Sequence, residues 1–521
     1  MDKLFKSLRI AVSTIIFLAF FSVFALNLPG YETIGKFLTS FQFLPALITF
    51  LTSFTLISLV SILIILSVTL IFGRVYCASF CPLGILQDII LYFTRKFSPS
   101  SNSKYQKSLN ILKYSILTIS GLVAIFGSLS LLNLIAPYSI FGRIIANIFK
   151  PGIVFVNNTV VNILTNNGIY SANFMDFHST SVTLTLGTSL IFLFIIILTA
   201  VKGRKFCTAI CPVGTILGLI SNNSLFKISM DSDTCTECGL CEQGCRTSCI
   251  DVENKYIDNS RCTLCFDCLN TCPVNAINYN KLSQKSIDKA TEVSPDSNKT
   301  RRSFIGGVIS FLSLTLPLNA KDAGVEPEPA IPPGGNNLDS FLNKCTGCHL
   351  CVNACPANVI KPSLTEFGLQ GFFQPVMDYN HSYCEYECTI CTEVCPTDAL
   401  SELDMKEKQL TRIGTATLYK DICVVYQNKE DCAACAELCP THAVYTVEKE
   451  NLRYPEMDIQ YCIGCGACQF ACPVEEKAIR VGGDEQHSKA LPPFTGQDEE
   501  KTGKKQQSQS DTSEASQDFP F

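Results

Sequence analysis

Cysteine spacing carries the most specific chemistry in this chain. Cys235-x2-Cys238-x2-Cys241-x3-Cys245 is followed by Cys262-x2-Cys265-x2-Cys268-x3-Cys272-Pro273. Three thiolates spaced in this way wrap one corner of an iron–sulfur cubane, and in bacterial two-cluster ferredoxins the fourth cysteine of each run ligates the other cluster. Cys235, Cys238, Cys241 and Cys272 are therefore expected to hold one [4Fe-4S] cluster, and Cys262, Cys265, Cys268 and Cys245 a second. Two departures stand out: Arg246 follows Cys245 where proline is usual, and Cys249 is a spare thiol that could replace Cys245.

Four more runs follow: Cys345/Cys348/Cys351/Cys355-Pro356, Cys384/Cys388/Cys391/Cys395-Pro396, Cys423/Cys432/Cys435/Cys439-Pro440 and Cys462/Cys465/Cys468/Cys472-Pro473. The middle two have stretched leading spacings, which suits one ferredoxin unit inserted within another. The set resembles tetra-cluster electron-transfer subunits, and that resemblance implies pairing the first run with the fourth and the second with the third. The implied ligand sets are Cys345, Cys348, Cys351 and Cys472; Cys462, Cys465, Cys468 and Cys355; Cys384, Cys388, Cys391 and Cys439; and Cys423, Cys432, Cys435 and Cys395. Zinc would fit isolated C-x2-C pairs, but a triplet with a fourth cysteine before proline favours a cubane. Triplets this regular are poor geometry for a disulfide framework. Cys345-x2-Cys348-His349 matches a haem-attachment pattern, yet Cys351 and Cys355 continue the ferredoxin spacing, so His349 is expected on the surface.

Four further thiols lie in an internal repeat. Gly73-Arg74-Val75-Tyr76-Cys77-x3-Cys81-Pro82-Leu83-Gly84 aligns without gaps to Gly203-Arg204-Lys205-Phe206-Cys207-x3-Cys211-Pro212-Val213-Gly214. Two C-x3-C-P pairs at one membrane depth could bring four thiols to a soft metal centre or form two redox-active dithiols. The competing reading is a repeated helix-end turn with small buried thiols.

The elements that must position these thiols are of two kinds. Of 29 cysteines in 521 residues, 25 lie between Cys235 and Cys472, whereas the first 201 residues are nearly continuous apolar runs. A spanning helix needs about 20 mostly apolar residues, and four stretches qualify: Ile10–Leu28, Phe43–Phe72, Tyr114–Ala136 and Thr183–Val201. Residues 144–165 are interrupted by Lys150, Pro151, Gly152, Asn157 and Asn158, which reads as an interfacial or re-entrant segment. Basic residues cluster at Lys3, Lys6 and Arg9, at Arg74, Arg95, Lys96, Lys104 and Lys107, and at Lys202, Arg204 and Lys205, so both ends of this half are expected in the cytoplasm. With 41 Lys+Arg against 46 Asp+Glu, nucleic-acid binding has no compositional support. No Gly-rich nucleotide fingerprint or P-loop occurs.

The expected fold is a membrane α-helical bundle of four helices (1–205) joined to α+β ferredoxin-like domains: a two-cluster domain at 230–280 and a tetra-cluster domain at 341–482. A linker at 281–340 carries a fifth hydrophobic segment at 300–318, and 483–521 reads as a disordered tail. Arg301 and Arg302 ahead of that short apolar run read as a twin-arginine export signal. Export of a folded domain would keep its thiols from an oxidising compartment before clusters form. The other reading is a linker helix with the domain kept inside.

With the Ala136-Pro137-Tyr138-Ser139 turn and the two-cluster ferredoxin, the paired G-R-x-[YF]-C-x3-C-P-x-G motifs make residues 1–280 resemble NapH-type membrane quinol dehydrogenases. Residues from about 300 to 482, down to Arg412-Ile-Gly-Thr-Ala-Thr-Leu, resemble the exported NapG/MauM-type tetra-cluster ferredoxins. A fusion of the two implies an electron-transfer subunit of the bacterial inner membrane holding six [4Fe-4S] clusters. It also implies a quinone pool as donor, an outer-face tetra-cluster domain, and a periplasmic, nitrate-reductase-like terminal reductase or an intermediate carrier as acceptor. An assembly or maturation factor and a cytoplasmic electron-input module running toward quinone are the alternatives. Six clusters favour through-transport, since one would serve a thiol or metal reductase. Pro137–Thr180 is the expected outer docking surface.

Overall fold

The computed structural model describes residues 2–26, 31–97, 104–125, 129–170, 173–175, 182–281, 328–368 and 370–493. Arg301 and Arg302 and the apolar segment after them lie outside these residues. Two compact units form: Met1–Ala323 with Asp339–Val376 and Ile390–Glu402, and Gly324–Leu338 with Met377–Thr389 and Leu403–Phe521. The expected single tetra-cluster domain is thus divided, its first cysteine run belonging with the helical part.

In the first unit, helices run α1 (Asp2–Ala25), α2 (Tyr31–Ser40), α3 (Phe43–Ser53), α4 (Leu56–Phe72), α5 (Val75–Ser79), α6 (Pro82–Phe97), α7 (Asn110–Ile125), α8 (Ser130–Ile135), α9 (Pro137–Ile144), α10 (Lys150–Asn166), α11 (Val182–Lys202) and α12 (Pro212–Ser221). Among the described residues three stretches, Leu4–Ala25, Pro137–Asn166 and Thr183–Lys202, are long and apolar enough to cross a membrane, or four if the pair Ile34–Ser40 and Phe43–Ser53, bent by 86°, is one span. Their outward faces leave Ile15, Leu18, Leu190, Leu193 and Ile197 more than half exposed, as lipid-facing surfaces do.

The spans differ from those expected. Phe43–Phe72 is two helices, because Phe54 turns left-handed (φ 48°) and Thr55 is extended. The break is held by Thr55 Oγ1 donating to Ser58 Oγ at 2.8 Å and Ser58 Oγ donating to the Thr55 carbonyl at 2.7 Å. Tyr114–Ala136 ends as α7 at Ile125, and extended Ala136 marks the restriction that Pro137 places on its neighbour. The segment expected to be re-entrant instead makes up most of a 30-residue helix, Pro137–Asn166. A π-helical turn at Ile145–Phe149 shifts the hydrogen-bond register where Pro151 has no N–H to donate, so the proline is carried inside the helix. Its polar side chains find partners: Asn147 Nδ2 donates to Thr188 Oγ1 at 3.0 Å and Lys150 Nζ to the Asn353 carbonyl at 2.5 Å.

The ferredoxin part starts slightly before the expected boundary, at a strand Phe226–Met230 paired antiparallel with Ile277–Lys281. A hairpin of Ile250–Asp251 with Tyr256–Ile257 and two short helices, Leu240–Gly244 and Asp267–Thr271, pack beneath it. α1 connects this part to the Cys345 run. Near its start Phe5 packs on Phe266 at 5.9 Å between ring centroids and Lys6 Nζ pairs with Asp267 at 2.8 Å; at its end the Phe24 carbonyl accepts from Asn353 Nδ2 at 3.1 Å. The 24-residue α1 is about 36 Å long.

In the second unit, Thr411–Leu418 pairs antiparallel with Ile479–Lys489, and Val444–Lys449 forms a hairpin with Leu452–Met457. The tail expected to be disordered from 483 is therefore strand as far as Lys489, because Ser488 and Lys489 pair with Arg412 and Thr411. The end of the expected linker is also ordered: Gly483 N donates to the Glu328 carbonyl and His487 N to the Asn336 carbonyl, both at 2.7 Å.

Candidate metal centres

Four cysteine triplets share one backbone device. The residues before and after the second cysteine both take positive φ: Glu237 and Gly239, Leu264 and Phe266, Gly347 and His349, Gly464 and Gly466. Alternating handedness of this kind turns successive N–H groups into one concavity, the nest that binds anions and many iron–sulfur groups. Further amides reach sulfur: Ala276 N to Cys272 Sγ at 3.2 Å, Leu400 N to Cys395 Sγ and Ala478 N to Cys472 Sγ at 3.4 Å. No disulfide links any of the 29 cysteines. Among the described residues, no three His, Cys, Asp or Glu side chains close on a point that one metal ion would occupy. The all-cysteine donor set and the nests fit iron–sulfur cubanes. Burial pushes the Cys265 thiol up to about 11 and the Cys465 thiol up to about 12, a cost that bonding to a cationic metal removes.

Two cavities of the ferredoxin part are lined by its cysteines. Cys235, Cys238, Cys241 and Cys272 line a space of about 290 Å³ with Met230, Val252 and Ile277. Cys245, Cys249, Cys262, Cys265 and Cys268 line one of about 320 Å³. Cys245 and Cys249 stand with sulfurs 3.6 Å apart, so both thiols of the expected alternative face the same cavity.

The later runs regroup. Cys345, Cys348 and Cys351 lie within electrostatic reach of Cys395. Cys462, Cys465 and Cys468 share a cavity of about 290 Å³ with Cys439. Cys435 is close to Cys432, Cys423 and Cys472. Within each unit, then, the fourth cysteine beside these triplets comes from the adjacent run, where the nested arrangement expected a more distant one. His349 is also corrected: it is 1% exposed, occupies the left-handed position of its nest, and its Nε2 is 3.0 Å from the Phe373 carbonyl.

The repeat thiols Cys77, Cys81, Cys207 and Cys211 are all buried and mutually within electrostatic reach. The repeat's arginines cross over. Arg74 Nη2 donates to the Cys207 carbonyl and Arg204 Nη1 to the Cys77 carbonyl, each at 3.1 Å. The glycine ending each copy has a steric reason, since a Cβ on Gly84 would sit 2.3 Å from the Cys77 carbonyl oxygen and one on Gly214 2.1 Å from that of Cys207. These carbonyls are tied into a pseudo-symmetric knot, more than a helix-end turn requires. One side of the knot meets the ferredoxin: Arg74 Nη1 donates to the Ser260 carbonyl at 3.0 Å, and Arg204 N to that of Arg246 at 2.9 Å. The other side shares a core with Phe20, Phe24, Tyr138, Phe141 and Cys348.

Sequence reading missed Asp88. Its carboxylate receives Arg204 Nε at 2.7 Å, Arg246 Nη1 at 2.7 Å and Arg9 Nη1 at 3.1 Å. Burial raises this carboxyl's pKa, but the three guanidinium groups outweigh burial and hold it below the ordinary carboxylate value. Arg246, which departs from the usual proline, is thereby explained: it ties the ferredoxin to α6. No local pattern around Asp88 signals this role, because its partners come from three distant segments.

Residues 54–100 and 184–230 each match a 4Fe-4S binding domain family, so both repeat copies fall within it. Two further 4Fe-4S binding domain families match 232–248 and 262–276, and a 4Fe-4S dicluster domain matches 344–399 and 430–475. The dicluster boundaries pair the first later run with the second and the third with the fourth, as the thiols do. Several [4Fe-4S] domains define an iron–sulfur electron-transfer protein of ferredoxin type. The chain is 30% identical over 185 residues to the ferredoxin-type protein NapG of Escherichia coli, 34% of this chain and 79% of that protein. It is 31% identical over 187 residues to the methylamine utilization ferredoxin-type protein MauM of Methylorubrum extorquens, 34% of this chain and 82% of that protein. The ferredoxin-type protein NapF of E. coli is 30% identical over 144 residues, 27% of this chain and 79% of that protein. The chain belongs to this family of Nap/Mau ferredoxin-type proteins.

Proposed function

We propose that the chain is a membrane-embedded electron conduit between a quinol pool and an acceptor on the outer face of a bacterial inner membrane. The observation that carries the reading is α1, with the two-cluster ferredoxin at its start, the Cys345 run at its end, and the four-thiol knot packed between. Its length exceeds the roughly 30 Å hydrocarbon thickness, which suits cluster sites at opposite faces. The fusion likeness to NapH-type and NapG/MauM-type proteins agrees with this, and a periplasmic nitrate-reductase-like enzyme or an intermediate carrier is the acceptor class it suggests.

Five of the six clusters are assigned to Cys235, Cys238, Cys241 and Cys272; Cys262, Cys265, Cys268 and Cys245; Cys345, Cys348, Cys351 and Cys395; Cys423, Cys432, Cys435 and Cys472; and Cys462, Cys465, Cys468 and Cys439, and the spacing of the Cys384/Cys388/Cys391 run accounts for the sixth. Cys77, Cys81, Cys207 and Cys211 form a further redox centre, a metal–sulfur group or paired dithiols. Bound clusters supply one-electron chemistry. The chain's own residues space them, bury them and set the charge around them. A menaquinol analogue added to oxidised protein in lipid should reduce the cluster signals in electron paramagnetic resonance. Reduction confined to the Cys235–Cys272 pair, unaltered by Cys77→Ser or Cys207→Ser, would favour an input module.

A further inference from the structure

Beside the Cys345 run, a buried cation lacks an acidic partner. Arg143 is 2% exposed, and its Nε donates to the Ser139 carbonyl at 3.1 Å while Nη2 donates to the Asn133 carbonyl. Its guanidinium stacks over Phe373 at 4.8 Å, and its Nη1 has no hydrogen-bond partner. Among the described residues no carboxylate pairs with it; the opposite charge within reach is the Cys348 sulfur. Tyr138, 1% exposed, also has its hydroxyl beside the sulfurs of Cys348 and Cys395. The approach is close, since a Cβ on Gly142 would stand 2.3 Å from the Cys348 carbonyl oxygen. Asn133 fixes the geometry from both sides, its Nδ2 donating to the Cys345 carbonyl at 2.7 Å while its own carbonyl receives Arg143.

A buried charge without a partner is strongly destabilising, and these donors point to an anion that accepts from them. A [4Fe-4S] core with four thiolates carries net negative charge, and reduction adds one more. Net charge and hydrogen bonds to the sulfurs are what set its potential. We propose that Arg143 is the counter-charge of the cluster held by Cys345, Cys348, Cys351 and Cys395, and that with the Tyr138 hydroxyl it raises that cluster's reduction potential. This rests on the reading that these four thiols hold a [4Fe-4S] cluster. Arg143 is a positioning residue: it touches no substrate and acts through the cluster it faces. Held high, this centre at the end of α1 takes electrons readily from donors within the membrane.

The test is a redox titration of the full-length protein in lipid, followed by electron paramagnetic resonance, with iron content measured in parallel. Arg143→Gln is expected to make reduction of one cluster at least tenfold less favourable, about 59 mV lower for a one-electron couple, with the other signals unmoved. Arg143→Lys should restore most of the shift, and Tyr138→Phe should lower the same signal by less. Loss of about four iron atoms in Arg143→Gln but not in Arg143→Lys would equally show that the charge serves the cluster. Full iron content with no midpoint shift in either Arg143→Gln or Tyr138→Phe overturns the proposal. Should Arg143→Gln not accumulate, Tyr138→Phe decides by itself, since it alters one hydroxyl. Unchanged iron in Cys348→Ser would instead show that the cluster assignment is at fault.

Discussion

The two ends of α1 handle buried positive charge in opposite ways. At the ferredoxin end, Arg9, Arg204 and Arg246 converge on Asp88, and Lys6 joins Arg246 on Asp267. Each of these four cations has a carboxylate, so the network closes without reference to iron and serves to join two folded parts. At the other end, Arg143 and Lys150 are buried with carbonyl partners only, Arg143 within reach of Cys348 and Lys150 of Cys355. A network balanced by carboxylates is architecture. One balanced only by thiolates depends on what those thiolates hold.

The difference predicts which substitutions harm folding and which harm redox chemistry. Asp88→Asn strands three guanidinium groups, and removing one partner of a buried ion pair costs about 3–5 kcal/mol. The largest effect should therefore be a marked fall in the thermal midpoint in detergent; an unchanged midpoint would break the contrast. Arg143→Gln should lower that midpoint less than Asp88→Asn does. Next in size is iron: six cubanes imply about 24 atoms per chain. Cys395→Ser should disturb the same spectroscopic signal as Cys348→Ser, and Cys472→Ser the same as Cys435→Ser. A signal shared by Cys472→Ser and Cys348→Ser would restore the nested pairing. Cys249→Ser should leave the iron content unchanged if Cys245 is the ligand. The smallest effect concerns pH. The Asp88 carboxyl is held below its ordinary value of 3.8, and Asp267 is held low likewise, Arg246 and Lys6 outweighing burial. Their stabilisation is fully present above that ordinary value and is lost only as pH falls through the lowered one. From pH 7 to 5 this network should contribute no change in midpoint; a fall that Asp88→Asn abolishes would contradict it.

Much of this was legible in the sequence because cubane ligation is local. The two-x-two spacing that brings Cys235, Cys238 and Cys241 round one corner also forces the left-handed residues between them, so the triplets announce themselves. Exchange of the fourth cysteine is long-range, and the stretched leads before Cys388 and Cys432 read as an insertion, whereas Cys395 lies by the Cys345 run and Cys439 by the Cys462 run. The gapless repeat disclosed the four membrane thiols, yet not the crossing of Arg74 and Arg204 onto the opposite copy's carbonyls, which exists only once the helices pack. Helix ends were least legible. Pro151 reads as a breaker but is absorbed by a π-turn, and Phe54 gives no sign of the left-handed turn that divides α3 from α4.

The central claim is that α1 and the four-thiol knot join cluster sites on two faces of a membrane. Proteoliposomes holding the full chain in one orientation, with a membrane-impermeant one-electron acceptor inside and an impermeant reductant outside, test it directly. The account predicts reduction of the trapped acceptor by the parent protein and loss of that reduction in the Cys77→Ser/Cys207→Ser double variant at unchanged occupancy of the six clusters. Equal rates in parent and variant, or no transfer by a parent protein with all clusters in place, would contradict it.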